Sequence, residues 1–363
     1  MNLLILGGTG AMGVSLVSIL AAQGHDVHVT SRSYHGEENP YIHYLQGDAH
    51  NEKFLHDTLS LAHYDAVVDF MIYTTAELNS RLDALLTATD QYIFLSSSRV
   101  YADSETPLTE DSPRLLDVVL DAEYMKTEEY ALTKARQENL LLRSGYMNWT
   151  IVRPYITYNT ERLQLGIYEK ETWLFRALNN HTIVFPKDIA EKYTTLTYGA
   201  DVAMVMAKLI GNKAALGEAI HIASGQKIRW NDVLTIYQDV IEDNIKVRPK
   251  VLYVEDSKEI SEIKGCQYQT KYDRLFNRSF DSAKADRLCV EQNAYTSLEE
   301  GLSKCLNAFL YGEQNFRGVS WKEQAYMDMM THERTPLCII PSIKEELKYW
   351  ICRYTPYLMV TNR

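Results

Sequence analysis

The chain has 363 residues, 46% hydrophobic and 23% charged, with a formal net charge of −11. That is the composition of a globular protein with a sizeable core and room for two lobes. The acidic balance argues against a protein that tracks nucleic-acid phosphates, and no apolar run approaches the roughly 18 residues that a membrane span needs.

Leu3–Leu6 is a short apolar run that breaks into Gly7, Gly8, Gly10 and Gly13, and apolar residues resume at helical spacing at Leu16, Ile19 and Leu20. The pattern reads as strand, glycine turn, helix. Gly7 permits a sharp turn, Gly10 lets the backbone approach a phosphate, and Gly13 lets the helix pack near the strand. Thr9 and Met12 belong to the same loop, and the helix N-terminus offers free N–H groups to a pyrophosphate. Elsewhere G-x-x-G-x-x-G is an ordinary turn. After a strand and before a helix it predicts dinucleotide binding. The first strand begins at residue 2, which leaves no room for a signal peptide and predicts a cytoplasmic protein.

Asp26–Thr30 is the second strand, with Ser31-Arg32-Ser33 at its C-terminal edge. An NAD enzyme usually places a carboxylate there for the ribose 2′-hydroxyl, whereas Arg suits a 2′-phosphate. Ser31 and Arg32 therefore predict NADP over NAD. Ile42–Leu45 is a third strand, and Asp48 after it falls near the adenine edge. Glu52–Leu61 reads as a helix, Asp65–Phe70 as a buried strand, Leu78–Leu86 as a helix, and Tyr92–Ser96 and Trp149–Val152 as further strands. Strands alternating with helices predict a Rossmann-type, doubly wound parallel α/β sheet.

Past Pro154 the pattern loosens. Asp201–Leu209 is a helix expected to return to the first lobe, Ala219–Ala223 a strand and Trp230–Ile241 a helix. Asp281 is a plausible cap for a helix beginning near Ala283. Trp321–Met330 and Ile343–Ile351 are amphipathic. The five cysteines all lie in the last third without a C-x-x-C, and the histidines show no metal spacing, so reduced thiols and no metal site are expected.

Tyr130 and Lys134 are four apart and would share one helix face. A lysine ammonium beside a phenol favours the phenolate, making Tyr130 a general acid/base candidate. Y-x-x-x-K is common by chance. The order matters more: glycine loop, then Ser96-Ser97-Ser98 at a strand end, then Tyr130/Lys134 on the next long helix.

With those residues in place, the chain resembles an extended short-chain dehydrogenase/reductase of the nucleotide-sugar epimerase/dehydratase type. The matching stretches are GGTGAMG at 7–13, QGD at 46–48, SSSRVY at 96–101, YALTKARQE at 130–138, IVRP at 151–154, ADVA and GEAIHIASG within 200–225, FDSAKA at 280–285 and TSLEEGL at 296–302. The resemblance implies that Ser97 bonds the reacting oxygen, that Tyr130 moves the proton, and that Lys134 bonds the nicotinamide ribose and tunes Tyr130. It also implies a homodimer paired through the helix carrying Tyr130. Two departures stand out. The acid pair with which 4,6-dehydratases follow this serine is replaced by Ser98 and Arg99, which disfavours dehydration. Phe70-Met71-Ile72-Tyr73 replaces an Asn-Ala-Ala segment, as in an atypical branch that includes chloroplast stem-loop-binding proteins.

The expected organisation is a dinucleotide-binding domain at 1–158 with 194–217 returning to it, a smaller mixed α/β substrate lobe at 159–193 and 218–310, and a C-terminal helical extension at 311–363. Arg162 and Arg229 are candidates for holding a nucleotide diphosphate. The expected function is an NADP-dependent (or NAD-dependent) epimerase or keto-reductase acting on a nucleotide-activated sugar. The alternative is a non-catalytic nucleotide- or RNA-associated protein on the same fold.

Overall fold

The computed structural model describes residues 1–10, 12–36, 39–289 and 295–355. Ala11 of the glycine loop and residues 356–363 of the expected C-terminal extension lie outside them. The chain forms two compact units. The first comprises Met1–Asn159, Thr195–Gln226 and Ser279–Leu298, and the second Thr160–Thr194, Lys227–Arg278 and Glu299–Arg363.

The first unit opens with β1 (Asn2–Leu6), α1 (Gly13–Ala22), β2 (Asp26–Ser31), β3 (Ile42–Gln46), α2 (Glu52–Leu59), β4 (Ala66–Asp69), α3 (Thr75–Thr87) and β5 (Tyr92–Leu95). Two one-turn helices follow, α4 (Leu115–Val118) and α5 (Ala122–Met125), then α6 (Tyr130–Arg143) and β6 (Trp149–Pro154). A seventh strand, Glu218–Ile222, completes a sheet ordered seventh strand–β6–β5–β4–β1–β2–β3, with every pairing parallel.

Period-two alternation builds a core on each face. Leu3, Ile5, Val27 and Val29 pack with Leu16 and Leu20 of α1 and with Val202 and Met206 of the Gly199–Leu209 helix. Leu4, Leu6, Val67 and Phe94 pack with Leu55 and Leu59 of α2 and Leu78 and Leu82 of α3. Strands buried on both sides leave no solvent for polar groups, so each must find a partner. Gln91, just before β5, donates to Thr150 Oγ1 at 2.9 Å and to the Leu209 carbonyl at 3.1 Å, and accepts from the Gly211 N–H at 2.7 Å.

The structure differs from expectation in three places. Residues 218–222 sit in the main sheet, because Ile220 and Ile222 are fully buried beside β6 and need cover on both faces. The 283–288 helix is capped at Ser282, while the Asp281 carboxylate accepts from the Ala283 N–H at 2.9 Å. The 311–355 stretch is part of the second unit rather than a separate layer. There Arg176 is fully buried, 2.8 Å from Asp328 and 3.1 Å from Glu333. Asp328 also accepts from the Thr335 N–H, the Thr335 hydroxyl and the Tyr349 hydroxyl, each at 2.7 Å. No helix among the described residues is long and apolar enough to cross a membrane.

Candidate active site

The glycine loop joins β1 to α1 at the C-terminal edge of the sheet. Gly7 has φ +69°, a left-handed turn that a side chain would strain. A Cβ on Gly13 would stand 2.5 Å from the Gly8 carbonyl oxygen, so helix and loop can approach only through glycine. Gly10 is different: apart from its chain neighbours, a Cβ there would meet no atom of a described residue within 4 Å, which leaves the loop open at that point. α1 begins without a side-chain cap and without an acidic residue in its first turn, a start that suits an anion, although the Val14 and Leu16 N–H groups already donate to the Gly10 and Met12 carbonyls at 3.1 and 3.0 Å. Thr9 is exposed on this loop, and Met12 packs its side chain against the core.

Ser31 ends β2, with its hydroxyl 2.9 Å from His35 Nε2. The His35 ring stacks on Tyr44 at 4.3 Å. Arg32 is exposed. His35 is a neighbour that sequence spacing alone does not reveal. Asp48 follows β3 and accepts from the His50 N–H at 3.0 Å, bracing its own turn.

Three consecutive serines close β5, and the structure separates their roles. Ser96 donates to Glu138 at 2.6 Å, and Ser98 donates to the Arg153 carbonyl at 2.7 Å. Ser97, 7% exposed, accepts from the Arg99 N–H at 3.2 Å and donates to no described residue. Its proton alone is left for a ligand. Beneath it, Glu138 is fully buried. Arg153 binds it through two contacts of 2.8 Å, and Arg114 at 3.0 Å.

Tyr130 is the first residue of α6, which Glu129 caps by accepting from the Ala131 N–H at 2.8 Å. Glu129 also accepts from Arg99 at 2.5 Å and from the Tyr124 hydroxyl at 3.1 Å. Tyr124 is thereby buried in the first unit. Arg99 in turn brings its guanidinium carbon to 5.3 Å from the Tyr130 ring centroid. One turn along, the Lys134 ammonium lies 6.0 Å from that centroid and 4.6 Å from that of Phe94. Two cations therefore flank the phenol. Lys134 is 2% exposed and makes no hydrogen bond to a described residue. Burial lowers it to about 8, against the opposing pull of Asp69 and then Glu138. Tyr130 and Lys134 line a cavity of about 250 Å³ with Ile72, Tyr73, Glu77 and Glu128. The buried Tyr73 hydroxyl also borders the cavity and makes no hydrogen bond to a described residue.

The structure thus gathers Tyr130 and Lys134 on one cavity, with Ser97 joined to them through Arg99. The glycine loop, Ser31, Arg32 and Asp48 follow the C-terminal ends of β1, β2 and β3, the edge where α/β sheets bind ligands. The open loop at Gly10, the uncapped α1 and the unpartnered ammonium fit a nicotinamide dinucleotide. In the second unit, Arg162 pairs with Glu169 at 3.2 Å. Arg229 lies over Tyr193 and borders a cavity of about 320 Å³ with Lys187 and Tyr253. Asp26, His28 and His43 cluster at the opposite edge of the sheet, a grouping that arises from strand pairing rather than sequence spacing.

The model of the NAD dependent epimerase/dehydratase family matches residues 3–223. The chain belongs to that family. It is 28% identical over 241 residues to the chloroplast stem-loop binding protein of 41 kDa b from Arabidopsis thaliana, covering 62% of this chain and 59% of that one. It is 25% identical over 243 residues to the 2′-dehydrokanamycin reductase of Streptomyces kanamyceticus, covering 64% of each. The chain therefore matches less than two thirds of the length of either relative. The fold is that of the Thermus thermophilus UDP-glucose 4-epimerase, solved with NAD, at a TM-score of 0.63 and 17% identity over 86% of this chain and all of the other.

Proposed function

We propose that this member of the family is an NADP-dependent epimerase or keto-reductase acting at a ring carbon of a nucleotide-activated sugar. One observation carries the reading: the buried, unpartnered Lys134 ammonium shares a cavity with Tyr130 at the C-terminal edge of the sheet. Asp69 and Glu138 offset the charge of this ammonium, but no described residue accepts its hydrogen bonds, which leaves them for a ligand.

Gly7, Thr9, Gly10, Met12 and Gly13 would hold the pyrophosphate against α1, Lys134 the nicotinamide ribose, and Asp48 the adenine. At the adenosine ribose the chain offers the Ser31 hydroxyl, the His35 imidazole and the Arg32 guanidinium in place of a carboxylate, which supports NADP over NAD. A bound nicotinamide supplies the hydride chemistry. Ser97 donates a hydrogen bond to the reacting oxygen and keeps its proton. Tyr130 takes the hydroxyl proton on oxidation and returns it on reduction. Lys134 and Arg99 favour the phenolate through their charge. Epimerisation and keto-reduction are the two reactions favoured, because neither needs the carboxylate pair absent at Ser98 and Arg99.

The test mixes purified protein with NADPH and a panel of nucleotide sugars and their 4-keto forms, following sugars by NMR and NADPH by absorbance. Conversion without net NADPH loss marks an epimerase, and stoichiometric loss marks a reductase. Tyr130→Phe should lower turnover by about 10²–10⁴. Equal activity in that variant overturns the assignment. The likeness to a stem-loop binding protein supports a second reading, a non-catalytic binder, which the net charge of −11 opposes. Cofactor binding without any sugar conversion would favour it.

A further inference from the structure

The segment in which this chain departs from its family's usual pattern begins next to Asp69, at the end of β4. Asp69 is 1% exposed. Its two oxygens accept from the Met71 N–H at 2.9 Å and the Tyr92 hydroxyl at 2.8 Å. Neutral donors satisfy its lone pairs without balancing its charge, and a carboxylate buried without a cation is strongly disfavoured. Among the described residues it forms no salt bridge within 4.0 Å. In sheet register Asp69 stands opposite Phe94 of β5, and Lys134 holds its ammonium over the Phe94 ring. The carboxylate and the ammonium therefore occupy the same end of the same strand pair.

We propose that Asp69 is the positioning residue for Lys134, the counter-charge that keeps the buried ammonium charged and held at the Tyr130 cavity. The inference rests on the cofactor and Tyr130 roles proposed above for its functional consequence, though not for the charge pairing itself. The groups around Lys134 leave Asp69 that role. Glu138, one turn along α6, already shares its charge with Arg153 and Arg114. Tyr92 and Tyr73 are phenols that burial keeps protonated. Glu77 and Glu128 line the cavity from α3 and from the turn before α6. Glu77 is committed to capping α3 through Thr74, and Glu128 to Arg136 at 3.0 Å. Arg99, on the turn after β5, is a cation already paired with Glu129 at 2.5 Å, so neither of these two charges answers that of Lys134.

The test reads Lys134 directly in the protein without cofactor. Lysine is labelled with ¹³C at Cε, and the Lys134 signal is assigned by its loss in Lys134→Met. In the native chain it should titrate near 8. Asp69→Asn should move the midpoint down by about one pH unit, a tenfold loss of proton affinity, and Asp69→Glu should restore it. An Asp69→Asn midpoint equal to the native one overturns the proposal. If Asp69→Asn does not fold, Lys134→Met tests the pair from the other side. Asp69, deprived of its cation, should carry a proton at pH 7, seen as a carboxylic-acid band in the infrared difference spectrum of Lys134→Met against the native chain. A carboxylate that stays ionised there also overturns the proposal. Failure of the native chain to bind NADPH would sink the proposed function and leave this titration readable.

Discussion

Three adjacent serines with one chemistry have three different environments, and that makes their substitutions diagnostic. Ser97→Ala removes the one hydroxyl whose proton is uncommitted. Turnover should fall by about 10²–10³ with the melting temperature nearly unchanged. Ser96→Ala removes a donor to the buried Glu138 carboxylate and should cost about 2 kcal/mol of stability, seen in urea titrations, with the cofactor still bound. The opposite assignment of losses would misplace the reacting hydroxyl. At the other end of the cofactor site, Ser31→Asp returns a carboxylate to the end of β2. Fluorescence titration should then show NAD binding more tightly than NADP, reversing the native preference. Tyr130 and Lys134 were legible from their spacing and from the motifs around them. Asp69 was not. In the sequence it is one more residue of an apolar run, and only the register with Phe94 brings it to Lys134. The same holds for Glu138 and Arg153, which lie in two recognisable motifs but meet only because α6 packs beside β5 and β6.

At the scale of elements, the β1–loop–α1 unit gives a contrast within one motif. Gly10→Ala adds a methyl group into space that no described residue beyond its chain neighbours fills, so folding should be unaltered while NADPH affinity drops. Gly13→Ala drives a Cβ into the Gly8 carbonyl, so the melting temperature itself should fall. Paired thermal melts and binding isotherms would check both, and a Gly10→Ala protein with native affinity would mean that nothing approaches the loop there. The strands and helices of the sheet were readable because alternation and helical spacing are local signals. The expected strands differ from those found by one or two residues at their ends. The one-turn helices α4 and α5 carry too few residues for any period to show. The seventh strand was recognised as a strand but placed in the wrong lobe, since its sequence says that it is buried and not beside what.

For the whole molecule, the second unit depends on its C-terminal helices. The Asp328 carboxyl is held well below the ordinary carboxylate value of 3.8, by His181, Arg176, Tyr349 and Thr335 against the cost of burial. A carboxylate depressed in the folded state stabilises above its unfolded value, and that contribution is lost as pH falls below it. Denaturation curves should therefore show the second unit weakening as pH drops from about 4 downward. Asp328→Ala, which leaves the buried Arg176 with Glu333 as its remaining carboxylate, should cost about 3 kcal/mol at pH 7 and flatten that acid dependence. An unchanged acid profile in Asp328→Ala would shift the sensitivity to other carboxylates. The expected amphipathic pattern at 321–330 does not describe this helix, which buries Glu323, Gln324 and Asp328 as well as Trp321 and Met327. Its partner, Arg176, lies some 150 positions earlier, where nothing marks it as waiting for an acid.

The side-chain amide of Gln91 also bears on how the protein is made. Its partners beyond the sheet, the Leu209 carbonyl and the Gly211 N–H, lie 118 and 120 residues downstream. At about 5–20 residues per second, a ribosome needs roughly 6 to 24 s to reach them. For that interval the nascent chain carries an open strand edge and an amide that Thr150 alone satisfies only in part. The sheet is begun at β1 and completed by the strand Glu218–Ile222, so synthesis on the ribosome, rather than refolding from denaturant, is where this topology is most exposed to misassembly.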